Sequence, residues 1–314
     1  MNEQKQGIVI KSTGNIYWVR CQNENISCVL RGKFRTKGIK TTNPIAVGDY
    51  VVFSTDDKNN HVITQILDRK NFIYRKSTNL SKITHIIAAN IDRVFLIVSM
   101  VEPCTPLGFI DRFLVSAEAF RIPATIVFNK CDIYNQQAME QTQQLIDIYQ
   151  SIGYQCIITS AITEKGLSLL AKEMKNQVSL FVGQSGVGKS SLINSIEPSL
   201  QLKIGDISNY NEKGKHTTTF TQMHNLQMGG FIIDSPGIKE FGLIQYQKTE
   251  ICHYFPEMLK LLDQCYFSNC SHTHEPNCAV KQAVKEGKIA MSRYNNYLSI
   301  INDEDINLKD WMVK

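Results

Sequence analysis

The chain has 314 residues, enough for two or three domains at ~100–200 residues each. With 43% hydrophobic and 20% charged residues it reads as a globular protein, which excludes wholesale disorder and a coiled coil. The net charge of +5 is uneven: residues 1–75 hold twelve Lys/Arg against six Asp/Glu, so the basic character belongs to the first part.

Five short β-rich runs come first, at Gly7–Ile10, Ile16–Cys21, Ile26–Leu30, Val47–Ser54 and Val62–Ile66. Gly14-Asn15, Asn23–Asn25, Gly32–Pro44 and Asp56–Asn60 separate them and carry turn chemistry. Five strands in so short a segment predict a small β-barrel over residues 1–75, of the OB type, although other small barrels fit the same pattern. The loop from Arg31 to Lys40 sets Arg31, Lys33, Arg35, Lys37 and Lys40 around Phe34. On an OB barrel such a loop points to nucleic acid; on its own it is equally a solvated loop.

From about residue 80 the pattern becomes βα alternation, predicting an α/β domain over 76–244. Val94–Val98, Ala124–Phe128, Cys156–Ile158, Ser179–Val182 and Phe231–Ile233 are apolar on both faces. Helical stretches such as Asn135–Ser151 and Gly166–Lys175 lie between them. That combination predicts a parallel sheet covered on both sides. Beyond residue 245 the strands stop; Glu250–Gln264 and Ala279–Ile301 read as helical, in a third domain over 245–314.

Gly183-Gln184-Ser185-Gly186-Val187-Gly188-Lys189-Ser190 is a full G-x-x-x-x-G-K-[ST] phosphate loop between a predicted strand and the helix opening at Ser191. Its glycines let backbone N–H groups fold around phosphate oxygens, and the helix N-terminus adds positive potential. Lys189 is expected to bridge the β- and γ-phosphates, and Ser190 to ligate Mg²⁺. Asn129-Lys130-Cys131-Asp132 follows the strand ending at Phe128 and matches N-K-x-D. A carboxylate there accepts from N1–H and the 2-amino group of guanine, a donor pair adenine lacks. Thr159-Ser160-Ala161 matches the short loop that supports the base. Asp234-Ser235-Pro236-Gly237 supplies a metal-side Asp and a γ-phosphate glycine. One of Thr217, Thr218 and Thr219 is expected to complete the Mg²⁺ shell; Thr218 is favoured, and an edge strand is the competing explanation of the threonine run.

An ordinary GTPase presents the phosphate loop first. Here N-K-x-D and T-S-A precede the phosphate loop, the threonines and D-x-x-G, so the domain is circularly permuted. A parallel sheet tolerates this because the site sits at the C-terminal ends of the strands, whichever connection is cut. Ile238 follows D-x-x-G, where Ras-type enzymes place the Gln that orients water, so slow intrinsic hydrolysis is expected. His216 is the nearest catalytic candidate, against an exposed histidine without a role.

Of nine cysteines, three fall between Cys265 and Cys278, and the rest are scattered. Cys265-x4-Cys270-x-His272-x5-Cys278 fits a closed, structural Cys₃His zinc site, with His274 as a competing ligand. Reduced scattered thiols, no apolar run long enough to span a membrane and no apolar signal core near Met1 predict a cytoplasmic protein.

An OB-like basic barrel, permuted GTPase motifs, Gly214-Lys215-His216-Thr217-Thr218-Thr219 and the C-terminal Cys/His cluster occur in one order. The whole resembles the bacterial small-ribosomal-subunit-dependent GTPase family RsgA, also called YjeQ or YloQ. The resemblance implies a late assembly factor of the 30S subunit, hydrolysing GTP to GDP when bound there. It implies zinc on Cys265, Cys270, His272 and Cys278, and a catalytic part for His216. Expected partners are 16S rRNA in the 30S subunit and GTP or GDP, with no membrane, and the chain is expected to be a monomer. An RNA-binding module using GTP only as a conformational ligand is one alternative, favoured by Ile238; an ATPase or kinase is another, opposed by Asn129 and Asp132.

Overall fold

The computed structural model describes residues 4–30, 44–57, 59–76, 84–202, 221–234 and 248–302. The first five strands are β1 (Lys5–Ser12), β2 (Ile16–Cys21), β3 (Glu24–Leu30), β4 (Tyr50–Thr55) and β5 (His61–Ile66). They pair in the order β1-β2-β3-β5-β4, and β4 pairs back onto β1, closing the barrel. Every pairing is antiparallel except β3 with β5. Closure removes the free edges that a small open sheet would expose. Val9, Tyr17, Val19, Cys28, Val51, Phe53 and Ile63 fill it.

The barrel is joined to the rest of the chain through β1 itself. Successive residues of a strand face opposite sides. Val9 therefore enters the barrel core, while Ile8 enters the core of the following domain. A hairpin, β6 (Phe72–Lys76) with β7 (Thr84–Ala89), lies at this junction and had no counterpart in the sequence reading. The expected boundary between residues 75 and 76 cuts through β6. Asparagine amides knit the junction. Asn71 clamps Ile91 by donating to its O and accepting from its N, both at 2.8 Å, and Asn90 Nδ2 donates to Gly48 O at 2.9 Å. Lys70 pairs with Asp92, whose carboxylate also accepts from Val178 N.

The central domain alternates as expected: β8 (Arg93–Val98), α1 (Leu107–Ala119), β9 (Ala124–Phe128), α2 (Gln136–Ser151), β10 (Gln155–Ile158), α3 (Leu167–Met174), β11 (Val178–Val182), α4 (Lys189–Ile196), β12 (Gln222–Asn225) and β13 (Phe231–Asp234). The sheet order is β10-β9-β8-β11-β13-β12. Pairings are parallel except β12 with β13. Val94, Leu96 and Val98 pack under α1 and α2, whereas Phe95 and Ile97 pack with α3 and α4, so both faces are covered. β12 then pairs through Gln222 with Lys11 of β1, which makes barrel and central sheet one continuous eleven-stranded sheet.

The last described segment departs from the expected pair of long helices. Glu250–Gln264 is a 3-10 stretch (Lys248–Tyr254), the single turn α5 (Pro256–Leu259) and another 3-10 turn. Proline at the first position of α5 cannot continue a preceding helix. Ala279–Ile301 splits into α6 (Ala279–Lys285) and α7 (Met291–Ile301), with Gly287 at φ 71° between them. This module packs on α1 around Arg293 of α7, which is 1% exposed. Its guanidinium bonds Asp111 of α1 at 2.6 Å and Glu257 of α5 at 2.7 Å, and lies over the Phe255 ring. Tyr149 and Asn296 donate to the two Asp111 oxygens.

Candidate nucleotide site and metal cluster

Four loops leave the C-terminal ends of neighbouring parallel strands: 99–106 after β8, Asn129–Asp132 after β9, Thr159–Ala161 after β10 and Gly183–Gly188 after β11. That is the end at which open α/β sheets bind ligands. Two of the phosphate-loop glycines are there for lack of room. A Cβ on Gly183 would meet Ile97 O at 2.2 Å, and one on Gly188 would meet Asn129 Nδ2 at 2.5 Å. The loop is thus wrapped against both β8 and the N-K-x-D turn.

Lys189 is 8% exposed, and its Nζ donates to Gly183 O at 2.7 Å and Gln184 O at 2.6 Å. The ammonium is therefore held across its own loop, beside exposed Ser185 and Gly186. Val187 is buried, and Ser190 and Ser191 lie in the first turn of α4. The Ser190 hydroxyl is a hard oxygen donor of the kind Mg²⁺ takes.

The N-K-x-D turn is tied to the phosphate-loop motif through one amide. Asn129 Nδ2 donates to Val187 O at 2.8 Å, and Asn129 Oδ1 accepts from Thr159 Oγ1 at 3.0 Å. Ser160 Oγ donates to Asp132 Oδ1 at 2.5 Å and itself accepts from the amides of Ile162 and Thr163. The Asp132 carboxylate is exposed, oriented by Ser160, and free to accept from a planar donor pair. Lys130, at φ 65°, donates to Glu102 O at 2.6 Å. Cys131, between them, is buried, and burial raises its thiol pKa, so it packs as a small apolar group. Asn129, Lys130, Asp132, Ser160, Ala161 and the phosphate loop are thereby brought to one sheet end. Thr159, read as the start of the T-S-A loop, contributes the hydroxyl that orients Asn129, and segment 99–106, which has no motif of its own, belongs to the same constellation.

Asp234 closes β13 on the same sheet. Gly237, Ile238, His216 and the threonines including Thr218 lie outside the described residues, as do Arg31, Lys33, Arg35 and Lys37 of the basic loop.

Cys265, Cys270, His272 and Cys278 converge, with ligand atoms all within 4.8 Å of one another. His272 Nδ1 is 3.6 Å from Cys265 Sγ and 3.4 Å from Cys278 Sγ, and the two sulfurs are 4.0 Å apart. Tetrahedral zinc with S and N ligands spaces its donors by about 3.4–3.8 Å, so the set fits. Burial lowers the His272 pKa, which favours the neutral imidazole a metal needs, and its Nε2 is buried without a partner, leaving Nδ1 as the inward nitrogen. The competing His274 is exposed, with its Nδ1 on Thr273 Oγ1 at 2.8 Å. Tyr294 and Tyr297 of α7 donate to His272 O and Ser271 O, holding the ligand loop against the module core.

Residues 66–244 match the model of the RsgA GTPase family, and residues 6–63 match that of the RsgA N-terminal domain. A Flavobacterium psychrophilum protein named small ribosomal subunit biogenesis GTPase RsgA is 51% identical over 95% of this chain and 93% of its own length. A Bacteroides fragilis protein of the same name is 48% identical over 96% of this chain and 97% of its own. Among solved structures, YjeQ from Thermotoga maritima superposes with a TM-score of 0.78 at 36% identity, covering 96% of this chain and 98% of that one. YloQ, described as a circularly permuted GTPase, superposes with a TM-score of 0.74 at 30% identity, covering 98% and 96%.

Proposed function

This chain belongs to the RsgA GTPase family and is a GTP-hydrolysing enzyme; on that footing we propose that it works on the small ribosomal subunit as a late assembly factor. The observation that carries the site assignment is the Thr159–Asn129–Val187 chain, which seats a guanine reader and a phosphate loop side by side although their order in the chain is reversed. Asp132 accepts from the guanine N1–H and 2-amino group. The amides of Gly183–Ser191 and Lys189 hold the phosphates and stabilise charge on the transferring γ-phosphoryl group. Ser190, Asp234 and Thr218 would hold Mg²⁺, which supplies further neutralisation of phosphate charge when bound. His216 aligns the attacking water, replacing the polar group that Ile238 cannot supply, and Gly237 faces the γ-phosphate. Cys265, Cys270, His272 and Cys278 hold one zinc ion whose role is structural.

The barrel loop with Arg31, Lys33, Arg35 and Lys37 supplies phosphate contacts to 16S rRNA, so binding weakens with salt. Among the described residues no helix is long and apolar enough to cross a membrane, and the proposed partner places the monomer in the cytoplasm. The proposed modules follow the outline 1–75, 76–244 and 245–314, with the first boundary moved ahead of Phe72 so that the β6–β7 hairpin stays whole on the GTPase side. Multiple-turnover phosphate release tests this reading. Purified small subunits are expected to raise the rate strongly, and large subunits are not. In the same assay His216→Ala is expected to lower kcat with little change in GTP affinity. A rate indifferent to small subunits would overturn the assignment.

A further inference from the structure

The N-K-x-D turn is also held through its backbone, at the Asn129 carbonyl. Tyr134 lies two residues beyond Asp132. Its hydroxyl donates to Asn129 O at 2.7 Å and accepts from Met100 N–H at 3.0 Å. Met100 belongs to segment 99–106, which is closed on itself. Thr105 N donates to Ser99 O at 2.8 Å, Ser99 N donates to Thr105 Oγ1 at 3.1 Å, and Ser99 Oγ donates to Val101 O at 2.7 Å. The same segment reaches the site twice more. Glu102 O accepts from Lys130 Nζ, and Pro103 Cδ lies 3.6 Å from the place a Cβ on Gly186 would take. One phenol therefore joins the base-reading turn to a rigid segment that flanks the phosphate loop. Burial raises the Tyr134 pKa, so the hydroxyl keeps the proton it donates.

We propose that Tyr134 is a positioning residue for the guanine nucleotide, its hydroxyl holding Asn129–Asp132 against segment 99–106 so that base and phosphate subsites keep one spacing before the nucleotide arrives. The inference rests on the assignment of Asn129–Asp132 as the guanine reader. It acts through the Asn129 carbonyl and the Met100 amide, and the N-K-x-D pattern itself does not require it. A side chain of the same shape without the hydroxyl keeps the packing and loses the stitch.

The test uses the full chain and a fluorescent N-methylanthraniloyl GDP, followed by equilibrium titration and stopped-flow dissociation. Steady-state GTP hydrolysis with small subunits and thermal unfolding complete the set. Tyr134→Phe is compared with wild type and with Tyr149→Phe, which removes a buried hydroxyl from Asp111 at the other end of the domain. Tyr134→Phe is expected to weaken GDP and GTP about three- to tenfold, on the order of one of the two hydrogen bonds it removes. Dissociation should quicken and KM rise by a similar factor, with kcat unchanged. Tyr149→Phe is expected to lower Tm and leave affinity alone. A Tyr134→Phe protein with lowered Tm but wild-type dissociation and KM would overturn the proposal, as would a fall in kcat at constant KM. If wild type itself binds no GDP, the guanine assignment falls first and takes this inference with it.

Discussion

Asn129 and Val187, joined by one hydrogen bond in the proposed nucleotide site, stand 58 residues apart in the chain, whereas all four proposed ligands of the metal cluster fall between Cys265 and Cys278. The first site is a frame built by a sheet. Strand ends fix the loops, and side-chain amides, hydroxyls and the Lys130 ammonium tie them together with the ligand outside the framework. The second gathers three thiols and an imidazole where no apolar contact would. Burial pushes the Cys270 thiol up to about 12, so a divalent cation among the ligands is what would draw off its proton. The ligand belongs to the framework in one site and not in the other.

Removing each ligand should therefore have opposite consequences. Complete chelation of zinc is expected to unfold the module from residue 248 onward, a loss on the order of 10 kcal/mol in module stability. Limited proteolysis, circular dichroism and elemental analysis for one zinc per chain would follow it, with GDP binding surviving. A zinc-free protein that kept an intact, protease-resistant C-terminal module would break the comparison. GDP removal is expected to leave the fold in place.

Next in size is Arg293→Ala. It strands Asp111 and Glu257, both nine-tenths buried or more, and is expected to cost about 3–5 kcal/mol in stability. Denaturant unfolding measures it, and a loss under about 1 kcal/mol would show that the junction is not held by charge. Lys189→Ala sharpens the contrast from the other side. Turnover is expected to fall by about 100- to 1000-fold, as for other preorganised charge-stabilising groups, while Tm hardly moves. A large drop in Tm would mean that the phosphate loop is part of the framework after all. The smallest effect is Thr159→Val, which frees Asn129 Oδ1 and should weaken GDP by about 1 kcal/mol in calorimetry. An unchanged affinity would show that Asn129 needs no orientation from Thr159.

Legibility in the sequence followed the range of the interactions involved. The five barrel strands and the five buried strands of the central domain were readable, because alternation and continuous apolar runs are local consequences of facing one core or two. The long C-terminal helices were overread. Periodicity continued across Pro256 and Gly287, but the backbone did not. The β6–β7 hairpin left no clear mark. Its strands, Phe72–Lys76 and Thr84–Ala89, are short and sit between two strongly patterned domains, and Asn71 and Asn90 earn their places only through backbone partners across the junction. Tyr134 looked ordinary for the same reason, and Thr159 was legible only as part of the T-S-A loop, not as the partner of Asn129. Nothing in their neighbours foretells a hydroxyl between two loops.

The residue order by itself carried the motifs of both proposed sites. A phosphate loop, a carboxylate for guanine and a set of soft metal ligands are each written in spacings of a few residues, and the permuted order can be read without coordinates. The tertiary structure alone decided which histidine turns inward, how β12 carries the central sheet into the barrel, and that Arg293 meets Asp111 from 182 residues away. Those outcomes depend on burial and on partners distant in the chain, and a local pattern of side chains carries no record of either.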